Sequence, residues 1–484
     1  MAAMKRALTY CNPLPLPDYP RGRASRDPSV FAAFADGVVQ DFRETADPTV
    51  IYHDGKWILY PSAAMAYVSE DFVTWRHHPI EPADCGYAPT VVKFGQRWLL
   101  TACRTGLWTA DDPLGPFELL GEMTLPGGEA VPRWDDPMLF ADDDGRLYAY
   151  WGLGPTGIRA AELDGDHPTR LLSDPVELIA FDPAEVWQRY GEHNEDASRC
   201  FMEGPWMLKH GGRYYLTFAA PGTEFSTYAM GAAVGDSPLG PFTLQANNPI
   251  CADRYGLVRG PGHGCIVAGP GGTYWAFYTC AVCVHHSFER RIGMDPAGFD
   301  EHGQLFVNAA SETPQWAPGV VDHPADDNAT GLLPVNHGKI AARSSSAAPG
   351  RDTRYATDGS MKTWWQPAEG DRSPSLTIPL GAEFIVSAAR IIWSEPQLNY
   401  ADGKTPAAIP YRLEGRAAQD APWEVLIDAS SDQTEMLIDY RPFNPRQVRE
   451  LRLSWDRSSL TMTVGVTDFS VFGHHVKLAP PAVR

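Results

Sequence analysis

Residues 47–60 read Asp47-Pro48-Thr49-Val50-Ile51-Tyr52-His53-Asp54-Gly55-Lys56-Trp57-Ile58-Leu59-Tyr60. β-Branched and aromatic residues crowd both sides of Asp54-Gly55, a pair suited to the positive φ of a tight hairpin turn. The stretch predicts a strand, a turn and a second strand. The phrase returns as Ala88-Pro89 to Leu100 around Gly95, and as Asp136-Pro137 to Tyr150 around Asp144-Gly145. It returns again as Glu203-Gly204-Pro205 to Leu216 around Gly211-Gly212, and as His263-Gly264 to Phe277 around Gly271-Gly272. Ser69–Trp75, Asp112–Phe117 and Ser237–Phe242 follow three of the copies, the last two with a Pro/Gly turn before an outer strand.

A small antiparallel sheet cannot bury its own faces, but five copies packed around an axis can. Residues 1–310 are therefore predicted to form a five-bladed β-propeller. The innermost strand of each blade lines the axis. The residues that open the copies, Asp47, Ala88, Asp136, Glu203 and His263, would then converge at one end of it. Packing alone would place small or apolar residues there, because burying charge is costly. A ring of three carboxylates and a histidine points to chemistry instead.

Hydrolysis of a glycosidic bond needs that equipment. One carboxylic acid protonates the leaving oxygen, and a second carboxylate activates water or attacks the sugar. The acid must keep its proton near neutral pH, and a third negative charge nearby helps it do so.

Asp47-Pro48, Asp136-Pro137 with Asp142-Asp143-Asp144-Gly145, Glu203-Gly204-Pro205 and Gly262-His263-Gly264 together resemble the signature of glycoside hydrolase family 43, over roughly residues 10 to 310. The resemblance implies Asp47 as general base, Asp136 as modulator of the acid's pKa and Glu203 as general acid, with inversion at the anomeric carbon. It also implies that His263 lies under the sugar, beside water or a structural calcium reached through water, and that no cofactor is required for the chemistry. Tyr87, where many members carry Trp, is expected to wall the pocket. Arg291 resembles the pocket arginine of the last blade, with Arg290 on the opposite strand face as the other candidate. Retaining fructosidases of related fold would carry Arg and Cys where this chain has Asp135 and Gly204, which argues against a covalent intermediate and against fructans. Among Trp108, Trp134, Trp206, Phe225 and Tyr228, one or two are expected at the sugar. The insert Leu178–Cys200, with Trp187, Tyr190 and His193, is expected to close the axis into a pocket and favour exo-action.

The expected activity is release of a terminal sugar from plant-type glycans, of the α-L-arabinofuranosidase or β-xylosidase type. The alternatives are an exo-acting β-galactosidase or galactofuranosidase of the same fold, or a sugar-binding propeller without activity. A phosphorylase would need a basic cluster beside Asp47 or Glu203, and none is present.

Repeats stop near residue 306, and a polar connector over 311–335 follows. Residues 336–484 alternate like strands and predict a β-sandwich. Asp358-Gly359, Trp364-Trp365, Leu380-Gly381 and Arg449–Leu453 resemble a discoidin-type jelly roll, shared by family 32 carbohydrate-binding modules. The resemblance implies either a sugar-binding module or a rigid support.

Forty basic and sixty acidic residues give a net charge of −20, which disfavours nucleic acid and anionic glycans and leaves a neutral oligosaccharide or polysaccharide as partner. No apolar run reaches the length of about 18 residues that spans a membrane. Behind Lys5 and Arg6 comes the Pro-rich Asn12–Pro17, which is no signal-peptide core. The expected location is cytoplasmic, or secreted or periplasmic after loss of a signal. Cys280 and Cys283 sit in a strand-like run and read as buried thiols. The adjacent pairs His77-His78 and His285-His286 point to opposite strand faces and are poor chelators.

Overall fold

The computed structural model describes residues 9–22, 40–72, 74–81, 86–343 and 347–478. Lys5 and Arg6, Cys85 and residues 344–346 lie outside them. Each copy of the repeated phrase forms the first two strands of a four-stranded antiparallel sheet. Blade one comprises Thr49–His53, Lys56–Tyr60, Met65–Ser69 and Arg76–Pro79. Blade two comprises Thr90–Phe94, Arg97–Thr101, Leu107–Ala110 and Glu118–Gly121. Blade three comprises Met138–Ala141, Leu147–Trp151, Ile158–Leu163 and Val176–Ile179. Blade four comprises Glu203–His210, Arg213–Ala220, Ala229–Gly235 and Phe242–Leu244, with Cys251–Ala252 added beside the third strand. Blade five comprises Gly262–Ala268, Tyr274–Ala281, Arg290–Phe299 and Leu305–Val307. The first strands of successive blades touch, and those of blades five and one close the ring.

Alternation of side chains along each strand feeds two different seams. Trp98 and Leu100 pack with Ile58, Tyr60 and Val91 between blades one and two. Their neighbour Leu99 faces the other way, onto Leu139, Ala149 and Trp151. Met138, Tyr150, Met207 and Leu216 fill the next seam, and Leu208, Tyr215, Ile266 and Ala276 the one after.

The N-terminal segment straps blade five. Thr9–Tyr10 pairs with Gln315–Trp316, and Asn12 exchanges two hydrogen bonds with the backbone of Met294. Beyond it, seven strands from Leu333–Pro334 to Gly465–His475 form one sheet. Its longest members, Ser375–Ser394 and Ile438–Trp455, lie side by side. Register breaks at Pro379/Phe384 and Val386/Ala388 let them bend. Leu376 and Ile378 before the bends share a core with Ala389, Ile391, Leu453 and Phe469. The sandwich is thus one continuous folded sheet rather than two separate ones.

Ion pairs and a hydrogen bond from two buried arginines fasten this domain to the propeller side. Arg43 reaches Glu395 at 2.9 Å and Glu435 at 2.6 Å, and Arg390 reaches the carbonyl of Glu312 at 3.0 Å. All seven described cysteines are free thiols. No described helix is long and apolar enough to cross a membrane.

Candidate active site

Asp47, Ala88 and Asp136 each precede a proline and each holds a left-handed φ, of 51°, 48° and 47°. A side chain makes that conformation costly, roughly 1–3 kcal/mol, so the surroundings must enforce it. A hook from the preceding blade does so in each case. The Asp47 N–H donates to Thr279 Oγ1 at 2.9 Å, that of Ala88 to Ser62 Oγ at 3.1 Å, and that of Asp136 to Cys103 Sγ at 3.0 Å. All three hooks also reach a carboxylate, Thr279 Oγ1 lying 3.4 Å from Asp47 Oδ1. Ser62 donates to Asp47 Oδ2 at 2.6 Å and Cys103 to Asp136 Oδ1 at 2.9 Å.

The five opening residues are not equivalent, contrary to the pattern read from the repeats. In blade four the left-handed position before proline passes to Gly204, at φ 59°. A Cβ there would lie 2.5 Å from the His263 ring, so only glycine fits. Glu203 therefore enters one residue earlier, through a register break between Glu203 and Trp206. His263 sits at a second break, between Gly262 and Gly264. Its Nδ1 lies 3.4 Å from Asp47 Oδ1 and 3.4 Å from Asp136 Oδ2. One atom each of Asp136, Glu203 and His263 come within 4.8 Å of one another. The structure thus gathers Asp47, Asp136, Glu203 and His263 at one end of the axis.

Arg290, not Arg291, faces this group. Its two terminal nitrogens each donate to one oxygen of Asp47, both at 3.0 Å. Arg291 points to the other side of the strand, onto the carbonyl of Arg43 at 2.8 Å and over the Tyr19 ring. Strand alternation separates the two side chains, and the sequence does not show which parity faces the axis. Glu44 completes the Arg290 cradle at 3.3 Å, and Tyr87 donates to Glu44 at 2.6 Å. Tyr87 therefore lies beside the Asp47–Arg290 pair, with its hydroxyl committed to the cradle.

Burial pulls all three carboxyl groups toward the protonated form, but their neighbours differ. At Asp47, Arg290, His263 and Ser62 outweigh burial and hold the carboxyl below its ordinary range. At Asp136, burial and the Asp47 charge prevail over His263 and Cys103, so its carboxyl lies above the ordinary value. Glu203 is raised furthest, by burial and then by Asp136, against the hydrogen bond from Tyr228. Of Trp108, Trp134, Trp206, Phe225 and Tyr228, Tyr228 is the one that hydrogen-bonds a carboxylate of this ring. Its ring occupies the space where a Cβ on Gly262 would stand, 2.3 Å from the nearest ring atom.

The insert from Leu178 to Cys200 packs against the segment that carries Tyr228. Tyr190 donates to Glu224 at 2.6 Å, Glu192 accepts from Ser226, and Trp187 packs on Phe218. His193 is exposed. His285 pairs with Glu289 at 2.9 Å while His286 stacks on Phe42, so the two imidazoles have different partners.

A charged carboxylate clamped by arginine, facing a carboxylic acid that keeps its proton, is the equipment of a glycoside hydrolase. The profile of the glycosyl hydrolases family 43 matches residues 39–305, more than half of the chain. The chain belongs to that family. The β-D-galactofuranosidase xynD of Aspergillus niger is 26% identical over 317 residues, covering 55% of this chain and 83% of that protein. A β-xylosidase of Xylanibacter ruminicola is 26% identical over 209 residues, covering 36% of this chain and 58% of that protein, less than two thirds of its length. A solved thermostable family-43 glycoside hydrolase aligns with a TM-score of 0.48 at 24% identity, over 57% of this chain and 96% of that one.

Proposed function

We propose that the protein releases a terminal sugar from plant-type polysaccharides or oligosaccharides with inversion. Asp47 acts as general base, Glu203 as general acid and Asp136 as the charge that keeps the acid protonated. The carrying observation is the geometry of one ring, in which both arms of Arg290 clamp Asp47 while Glu203 lies buried near Asp136 and His263, an arrangement that displaces the two proton affinities in opposite directions. Asp47 takes a proton from water as the water oxygen bonds to the anomeric carbon. Glu203 gives its proton to the departing glycosidic oxygen. Tyr228 holds Glu203 in place, and Arg290 with Ser62 fixes Asp47. Tyr87 and His263 border the sugar, and the insert that braces Tyr228 favours exo-action.

The substrate class proposed is an α-L-arabinofuranoside or a β-xyloside, supported by the name of the β-xylosidase relative. The name of the Aspergillus relative favours a galactofuranoside as the second reading. A net charge of −20 suits a neutral glycan.

These steps need no cofactor. Calcium takes about six to eight oxygen ligands. The cluster of Asp136, Glu203 and His263 supplies two carboxylates and a nitrogen, a donor set that does not suit calcium bound directly. A calcium held through water at His263 would be structural, and no step uses it.

A screen of arabinofuranosyl, xylosyl, galactosyl and galactofuranosyl nitrophenyl glycosides identifies the sugar. Asp47→Ala is expected to abolish turnover. Proton NMR of the first sugar released by the wild type should show the inverted anomer before mutarotation, and a retained anomer would overturn the assignment of Asp47 as base.

A further inference from the structure

Between blades two and three lies a cavity of about 300 Å³, at the lower end of small-molecule sites. Arg104, Arg133, Asp135, Trp134, Met123 and Val131 line it. The Asp135 side chain is 2% exposed, with Oδ1 accepting from Arg104 Nε at 2.7 Å. Its Oδ2 is buried and accepts no hydrogen bond, Arg133 Nε standing 3.7 Å away. A buried carboxylate oxygen without a donor is costly, and a ligand hydroxyl would satisfy it. The two arginine side chains are 73% and 60% exposed and keep N–H groups for a ligand. Trp134, Met123 and Val131 form a buried apolar floor. An acceptor, two planar donors and an apolar floor match the hydroxyls and C–H face of a sugar ring. Arg104 and Arg133 also hold left-handed φ values of 57° and 53°, like the neighbouring Asp136.

The cavity sits on the acid's flank. Asp135 precedes Asp136 in the chain, and Arg104 follows Cys103, which bonds Asp136. Arg133 donates to the Leu153 carbonyl, and the next residue, Gly154, bridges to Met202 beside Glu203. Asp47 and Arg290 belong to blades one and five. An inverting enzyme delivers water from the base and expels the leaving group on the side of the acid.

We propose that this cavity is the subsite for the neutral sugar on the leaving-group side of the scissile bond, with Asp135 accepting from its hydroxyls and Arg104 and Arg133 donating to them. The assignment of that side rests on the functional reading above. In the full chain, the Arg104→Ala/Arg133→Ala double variant should lose about tenfold in the ratio of kcat/KM for xylotriose to kcat/KM for nitrophenyl xyloside, through lost hydrogen bonds to charged groups. A loss shared equally by both substrates, or no loss, overturns the subsite. Titration of xylotriose and arabinotriose into Glu203→Gln protein, followed by NMR, requires no turnover. Binding of either sugar weakened about tenfold by the arginine changes supports the subsite even if the wild type cleaves neither, in which case the functional reading alone fails. Unchanged binding overturns the subsite even where hydrolysis proceeds. Asp135→Asn, nearly identical in shape, should weaken binding in the same titration.

Discussion

Two clusters of buried charge organise this molecule, and they are built on opposite plans. At the domain junction each of the carboxylates Glu395, Glu435 and Asp468 meets an arginine. Arg43 lies between Glu395 and Glu435, and Arg390 meets Asp468 at 3.0 Å. In the pocket the charges are mismatched. Asp47 takes both arms of Arg290, and Asp136 and Glu203 receive no ion pair from any arginine or lysine among the described residues. Matched buried charges fix geometry, since each desolvated ion has its counter-ion. Mismatched ones spread proton affinities, which acid–base chemistry requires.

Replacing Glu203 with Gln removes the proposed proton donor and breaks the contrast most severely. Activity on natural glycosides should fall roughly 10²- to 10⁴-fold, with the fold intact by circular dichroism. Aryl glycosides with good leaving groups should lose less, and an equal loss on both would count against the role.

Breaking the junction has the other outcome. Arg43→Ala leaves Glu395 and Glu435 buried without their partner and should cost about 3–5 kcal/mol in denaturant unfolding. A junction variant as stable as the wild type would refute the matched-charge account.

Asp136→Asn sharpens the comparison most gently. In the proposed mechanism Glu203 must be protonated to act, and it loses that proton as pH climbs through its raised pKa. Removing the Asp136 charge lowers that pKa, so the alkaline limb of the kcat/KM profile should move to lower pH. An unmoved limb would show that Asp136 does not tune Glu203.

The sequence reveals most of the frame and part of the site. Asp-Gly and Gly-Gly hairpins mark four of the five blades and a lone Gly95 marks the second, because turn chemistry is local. Asp47 and Asp136 stand out as charges beside prolines in a repeated phrase, and Glu203 as a charge two residues before one. Arg290 is hidden by parity: two adjacent arginines look alike until the strand's faces are known. Glu44 and Tyr228 carry no local mark, since contacts made across the ring give them their roles. Ser62 and Cys103 were legible in principle, both standing two residues past the second strand of their blades.

Those hooks form a belt. Thr279 of blade five holds the backbone of Asp47, Ser62 of blade one holds that of Ala88, and Cys103 of blade two holds that of Asp136. Asp47 and Asp136 are therefore each gauged from the blade behind, as a part is set against its neighbour on an assembly line. Misplacement of one blade would propagate to the next carboxylate even where every rotamer is correct. Alignment of the site is in this sense a property of the ring, and Ala88, which carries no charge, is a link in setting the distance between the two that do.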